Sequence, residues 1–103
     1  MTNDENIVLF ARLKVKKDSI ERAKQEALAI IEDSRAEEGC LNYDFHQAID
    51  DGTVFIWHET WENKAAIEAH SKSKHLAAFS ERIKDLIDEP LQITLTKMVG
   101  EKA

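Results

Sequence analysis

In the stretch HETWENKAAIEAHSKSKHLAAF, residues 58–79, one carboxylate and two imidazoles stand among aromatic side chains. Glu59 lies between Trp57 and Trp61, and His70 and His75 follow within a helical pattern. These residue types suit proton transfer. An imidazole exchanges a proton near neutral pH, and a carboxylate held against it raises its basicity and fixes its tautomer. On an alternating strand Glu59 shares a side with Phe55, Trp57 and Trp61. There it loses hydration, so it must find a donor or shift its pKa upward. The alternative is a structural carboxylate at a strand end that reaches water or a helix terminus.

On a continuous helix His70 and His75 would point roughly 140° apart, too far to serve one ligand. Ser71-Lys72-Ser73 is a natural break, with Ser73 placed to cap a second segment whose core positions are Leu76, Phe79, Ile83 and Leu86. With the break, both imidazoles converge on the mouth of a sheet–helix crevice; without it, one of them is a surface side chain. The His-x-x-x-x-His spacing is not the i, i+4 pair that sets two metal ligands on one helical face. HExxH is absent and Cys40 stands alone, so no metal site is expected. Cys40, in an apolar run after Gly39, reads as an inert buried thiol. G-x-S-x-G, GxGxxG and P-loop patterns are also absent, which leaves no basis for a serine nucleophile or a nucleotide site. Tyr43, Phe45, Trp57 and Trp61 are core residues or, together, walls of an apolar pocket for a flat ligand.

The elements that must position these residues follow from periodicity. Residues 7–15, IVLFARLKV, alternate as a strand, with Ile7, Leu9, Ala11, Leu13 and Val15 on one face. Asp18 or Ser19 caps a helix to about residue 36, with Ile20, Ala23, Ala27, Ile30 and Ile31 as its apolar stripe. Gly39 closes that helix and opens a strand over 40–47, CLNYDFHQ, with Leu41, Tyr43 and Phe45 on one face. Asp51-Gly52 marks a hairpin turn with a positive φ at the glycine, and residues 53–61 return as the third strand. Asn63 caps a helical region over about 64–87, Pro90 ends it, and LQITLTKMV, 91–99, is the fourth strand.

The order β-α-β-β-α-β predicts an α+β, ferredoxin-like fold: one antiparallel sheet with both helices on one face. The helix-facing set includes Leu41, Leu91, Ile93 and Leu95. The opposite face mixes Val8, Phe10, Val54, Ile56 and Met98 with polar residues. Such a face is costly to leave wet, so a homodimer joined through sheet faces is expected.

Bulk properties narrow the class. With 103 residues and no repeat or linker, the chain is expected to be a single domain, 1–103. The net charge of −6, with no basic stripe, argues against nucleic acid. The single cysteine, the lack of an apolar leader after Met1 and the lack of a membrane-length apolar run predict a cytoplasmic protein with no membrane partner.

The segment EEGCLNYDF (37–45), followed by VFIWHETWENKAAIEAHSKSKHLAAF (54–79), resembles the antibiotic biosynthesis monooxygenase domain family. The carrying residues are Glu38, Gly39, Cys40, Leu41 and Tyr43, then Phe55, Glu59 and Trp61, then Ala66, His70, Ser73, His75 and Phe79. The resemblance implies a dimeric α+β barrel and a sheet–helix pocket in each subunit. It implies oxygenation of a quinol-like, phenolic or polycyclic small molecule by dioxygen, with no flavin, haem or metal cofactor. In that chemistry His70 or His75 is base or proton shuttle and Glu59 orients an imidazole. Trp61, Tyr43, Trp57, Phe55 and Phe79 bind the substrate. Two other readings stay open. Haem-degrading relatives use an Asn, a Trp and a His, for which Trp61 matches and Asn6 approximates. A branch that isomerises a phosphorylated signalling sugar has a similar helix, and Lys72 and Lys74 offer it cations. A non-catalytic ligand-binding dimer of the same fold is the third class.

Overall fold

The computed structural model describes residues 6–100. Strand β1 (Ile7–Val15) buries Leu9, Ala11, Leu13 and Val15 and turns Phe10 outward, as period-two alternation requires. A 3₁₀ turn at Lys17–Ser19 leads into α1 (Ile20–Leu28) and α2 (Ile31–Arg35), which replace the single helix expected from periodicity. The chain tightens at Ala29–Ile30, where the Ile30 amide donates to Ala27 rather than one residue further back. Ala23, Ala27, Ile30 and Ser34 still fall on one buried stripe, and the two alanines let the backbone approach the sheet closely. Ser19 stands at the N-cap position but does not cap; its hydroxyl donates to Asp18 instead.

After the turn at Gly39 comes β2 (Cys40–Gln47), then β3 (Val54–Trp61). The register slips between Cys40 and Asn42, because Cys40 pairs with Trp61 and Asn42 with Thr60. Leu41 is the extra residue of this bulge and is 53% exposed, so its expected place on the helix face is corrected. Cys40 takes that place. The expected glycine turn is also corrected: Gly52 has no positive φ, and Gly39 alone among the described residues does. The loop closes instead through Asp51, whose carboxylate accepts from the Thr53 amide at 3.0 Å and its hydroxyl at 2.6 Å. Those bonds, with Lys14 alongside, lower the Asp51 pKa to about 2.

Asn63 caps α3 (Lys64–Ser71), accepting from Ala66 N at 2.9 Å, and Ser73 caps α4 (Lys74–Ile83), accepting from Leu76 N at 3.3 Å. Strand β4 (Ile87–Thr96) begins before Pro90, not after it. Proline is tolerated there because β4 is an edge strand with register shifts opposite Arg12–Val15. The sheet is antiparallel in the order β2-β3-β1-β4, the ferredoxin-like α+β arrangement.

Leu13, Val15, Phe55 and Trp61 form the driest part of the core, between β1, β3 and the helices. The helices leave the Leu91–Leu95 part of β4 uncovered. Leu91, Ile93 and Leu95 lie on the helix side but are 46%, 57% and 49% exposed. A gap between α3–α4 and the β1–β4 side of the sheet results. Among the described residues no helix is long and apolar enough to cross a membrane.

Candidate functional site

That gap is a cavity of about 200 Å³. Its floor is the middle of the sheet, at Leu9, Tyr43 and Trp57, and its roof is Ile67, Leu76 and Phe79. The open side runs along Leu91, Ile93 and Leu95. The acidic or basic side chains on this wall are Glu59 and His70; everything else is apolar apart from the Tyr43 and Ser71 hydroxyls.

Glu59 sits on the buried side of β3, as alternation predicts, and is 4% exposed. Its Oε1 accepts from Trp61 Nε1 at 2.8 Å. Desolvation raises its pKa, and the negative charge of Glu37 adds to the rise; the Trp61 bond and His70 pull it back in part. Trp61 is 0% exposed and lies under His70, with ring centroids 4.7 Å apart.

The helix break settles the two histidines. The Ser73 hydroxyl donates to the His70 carbonyl at 2.8 Å, joining the end of α3 to the start of α4. Both rings then turn to the same carboxylate, which is Glu37. Its Oε2 lies 2.7 Å from His70 Nδ1 and 2.7 Å from His75 Nε2. With Nδ1 donated to Glu37, His70 keeps Nε2 as the ring nitrogen available to the cavity it lines. His75 does not line the cavity.

Glu37 was not among the expected residues. It sits in the turn between α2 and β2, its amide donating to Ser34 O and its carbonyl accepting from Cys40 N. Gly39, at φ 88°, lets the chain turn there against α3, where Ala66 Cβ would come within 2.6 Å of any added Cβ. The Glu-Glu-Gly-Cys stretch at the head of a site-bearing strand was the available signal. Its pairing with residues 33 and 38 positions away was not.

The carboxylate hydrogen-bonded to the imidazoles is Glu37 and not the expected Glu59, whose Oε1 accepts from the Trp61 indole. Of the expected binding residues, Tyr43, Trp57 and Phe79 line the cavity. Phe55 stacks on Phe45 at 5.2 Å in the core, and Trp61 lies beneath the wall rather than on it. Lys72 and Lys74 are exposed and off the wall, as is Asn6 ahead of β1. Burial pushes the Cys40 thiol pKa up, with the Glu59 charge adding to it, which keeps the sulfur protonated and inert.

The family model for antibiotic biosynthesis monooxygenases matches residues 6–82. The chain belongs to that family. It is 34% identical over 92 residues to "Putative monooxygenase YcnE" of Bacillus subtilis, covering 89% of this chain and 97% of that protein. A crystal structure of PA3566 from Pseudomonas aeruginosa superposes with a TM-score of 0.90 at 29% identity, over 97% of this chain and 100% of that one. An antibiotic biosynthesis monooxygenase-type protein from Nitrosomonas europaea shares the fold at a TM-score of 0.89 and 23% identity, over 96% and 95% of the two chains. The Glu37–His70–His75 cluster and the apolar cavity are therefore features of a member of the antibiotic biosynthesis monooxygenase family.

Proposed function

We propose that this chain is a monooxygenase that oxidises a quinol-like, phenolic or polycyclic small molecule with dioxygen inside the sheet–helix cavity. The observation that carries this reading is the 2.7 Å bond from His70 Nδ1 to Glu37 on a ring that also lines the cavity. A carboxylate at Nδ1 holds the tautomer with Nε2 unprotonated and stabilises the imidazolium that forms when Nε2 takes a proton. His70 is the base and Glu37 positions it. Deprotonation turns a phenol into an electron-rich phenolate whose ring carbon reacts with dioxygen. One oxygen stays on the carbon as a carbonyl and the other leaves as water. A phenol with a free para carbon then yields a quinone and water, and the substrate supplies all the electrons.

The surroundings support a flat, uncharged ring. Tyr43, Trp57 and Phe79 supply aromatic walls, and Glu59, whose pKa burial raises, places a carboxyl group on the same wall for a substrate oxygen. The Trp57 indole N–H is buried near Tyr43 without a full hydrogen bond. A phosphorylated sugar finds no lysine or arginine on the lining among the described residues, so the isomerase reading lacks its clamp.

The same reading includes a homodimer. Phe10 is 42% exposed on the outer sheet face, and the open side of the cavity along β4 is apolar. Val54, expected on that outer face, is buried within the single chain and adds nothing to it. The test of activity is dioxygen uptake by the purified chain with a panel of phenols and quinols, menadiol included. Uptake with formation of a quinone carrying one new oxygen supports the reading, and no uptake above a heat-killed control across the panel overturns it.

A further inference from the structure

Behind the cavity wall, three metal-ligating atoms meet. Glu37 Oε2 is 2.7 Å from both His70 Nδ1 and His75 Nε2, and the three residues offer ligand atoms within 4.8 Å of one another. They come from three elements, the α2–β2 turn, the end of α3 and the start of α4. Each is also held by contacts outside the cluster. The Glu37 backbone is bonded on both sides, His70 is packed on Trp61 and Tyr43, and His75 is fixed by the Ser73 cap.

We propose that Glu37, His70 and His75 form a binding site for one divalent transition metal ion of the zinc class, on the side of His70 that faces away from the cavity. Two imidazoles and one carboxylate are a donor set that zinc takes in four-coordinate geometry, with the fourth position left to water. The set is too small and too nitrogen-rich for magnesium or calcium, which ask for six or more oxygens. The Glu37 and His75 side chains keep 15% and 19% of their surface, which opens an entry path from solvent.

Charge gives a second, independent argument. Among the described ion pairs Glu37 has no lysine or arginine partner, only the imidazoles of His70 and His75. A carboxylate whose only ion-pair partners are two imidazoles, in a half-buried region, leaves a local negative potential that a dication relieves. The metal takes the place of the two N–H protons now shared with Oε2. Resting on the base assignment above, occupancy also removes that base. Metal on Nδ1 leaves the ring proton on Nε2, so the loaded chain cannot accept a proton from a substrate.

The test is direct metal binding by the full, chelator-stripped chain, read by calorimetry with zinc and by the visible absorption of bound cobalt. One zinc per chain is expected at micromolar affinity or better, with no magnesium binding. Glu37→Gln and His75→Asn each weaken zinc by more than the roughly 10- to 100-fold that loss of an outer-shell partner costs. His46→Gln, an exposed histidine at the far end of β2, leaves zinc binding unchanged. His75 is the most exposed of the three, so its variant keeps the fold, which an unchanged melting curve verifies. Affinity weaker than millimolar, or equal affinity in wild type and His75→Asn, overturns the site. Binding is read without substrate, so a failed oxygen-uptake assay would sink the oxygenase reading and leave this result standing.

Discussion

The Trp61 indole donates to Glu59 at 2.8 Å, two residues back along the same face of β3. That bond keeps a carboxyl group in an apolar wall without an ion pair, and burial leaves its pKa above the ordinary carboxylate value. In the folded chain Glu59 holds its proton more tightly than in the unfolded chain. Its contribution to stability is therefore full below the unfolded value near 4.5 and is lost as pH rises through the raised folded value. Glu59→Gln keeps an acceptor for Trp61 and removes the titration. The variant should match wild type below the unfolded pKa and melt higher than wild type at neutral pH, which thermal melts across the pH range will show. Parallel melting curves for the two proteins at every pH would contradict it.

His70 and His75 hold the same oxygen of Glu37, but only His70 touches the cavity. Under the proposed chemistry His70→Asn lowers kcat by about 10²–10⁴-fold, the usual worth of a general base. Glu37→Gln gives a smaller loss, because it removes the tautomer control and leaves the base. His75→Gln keeps a donor to Glu37 and should stay within about tenfold of wild type in metal-free buffer. Initial rates of oxygen uptake separate the three, and equal losses in His70→Asn and His75→Gln would refute the assignment.

Much of this was legible in the sequence, and the misses have local causes. Alternation in β1 and β3 placed Leu9, Leu13, Trp57 and Glu59 on the buried side, and the Ser73 break that lets two histidines converge was readable from capping chemistry alone. Leu41 was misplaced because strict alternation has no room for a bulge, and one extra residue moves a side chain to the other face. Pro90 was read as a stop because proline lacks a ladder donor, which an edge strand does not need. Glu37 escaped because its partners are fixed by how a turn packs against a distant helix, and no local period encodes that contact.

Gly39 controls that contact. Its φ of 88° costs an alanine about 1–2 kcal/mol before any clash, and an added Cβ would stand 2.6 Å from Ala66 Cβ. Gly39→Ala should destabilise the chain by at least that amount in urea unfolding. The turn must also shift away from α3, carrying Glu37 off the imidazoles. Imidazole resonances in the NMR spectrum report the second effect, and a variant with wild-type His70 and His75 shifts would show that the turn does not set the cluster.

Association is the remaining expectation. Phe10 stacks on His58 at 5.2 Å and presents a half-exposed ring on the sheet face away from the helices. Burying the exposed 42% of the ring against a second copy yields about 1 kcal/mol per subunit, and two-fold symmetry counts it twice. Sedimentation equilibrium should return twice the 11.8 kDa chain mass for wild type. Phe10→Asp puts an unpaired charge where the ring was, with its side chain still in water in the separated subunit. The fold should survive while the dissociation constant rises by at least about 10²-fold, since burying an uncompensated charge costs several kcal/mol. A wild-type chain that sediments at the single-chain mass would show that the outer face stays wet, and the open side of the cavity along β4 would then need another cover.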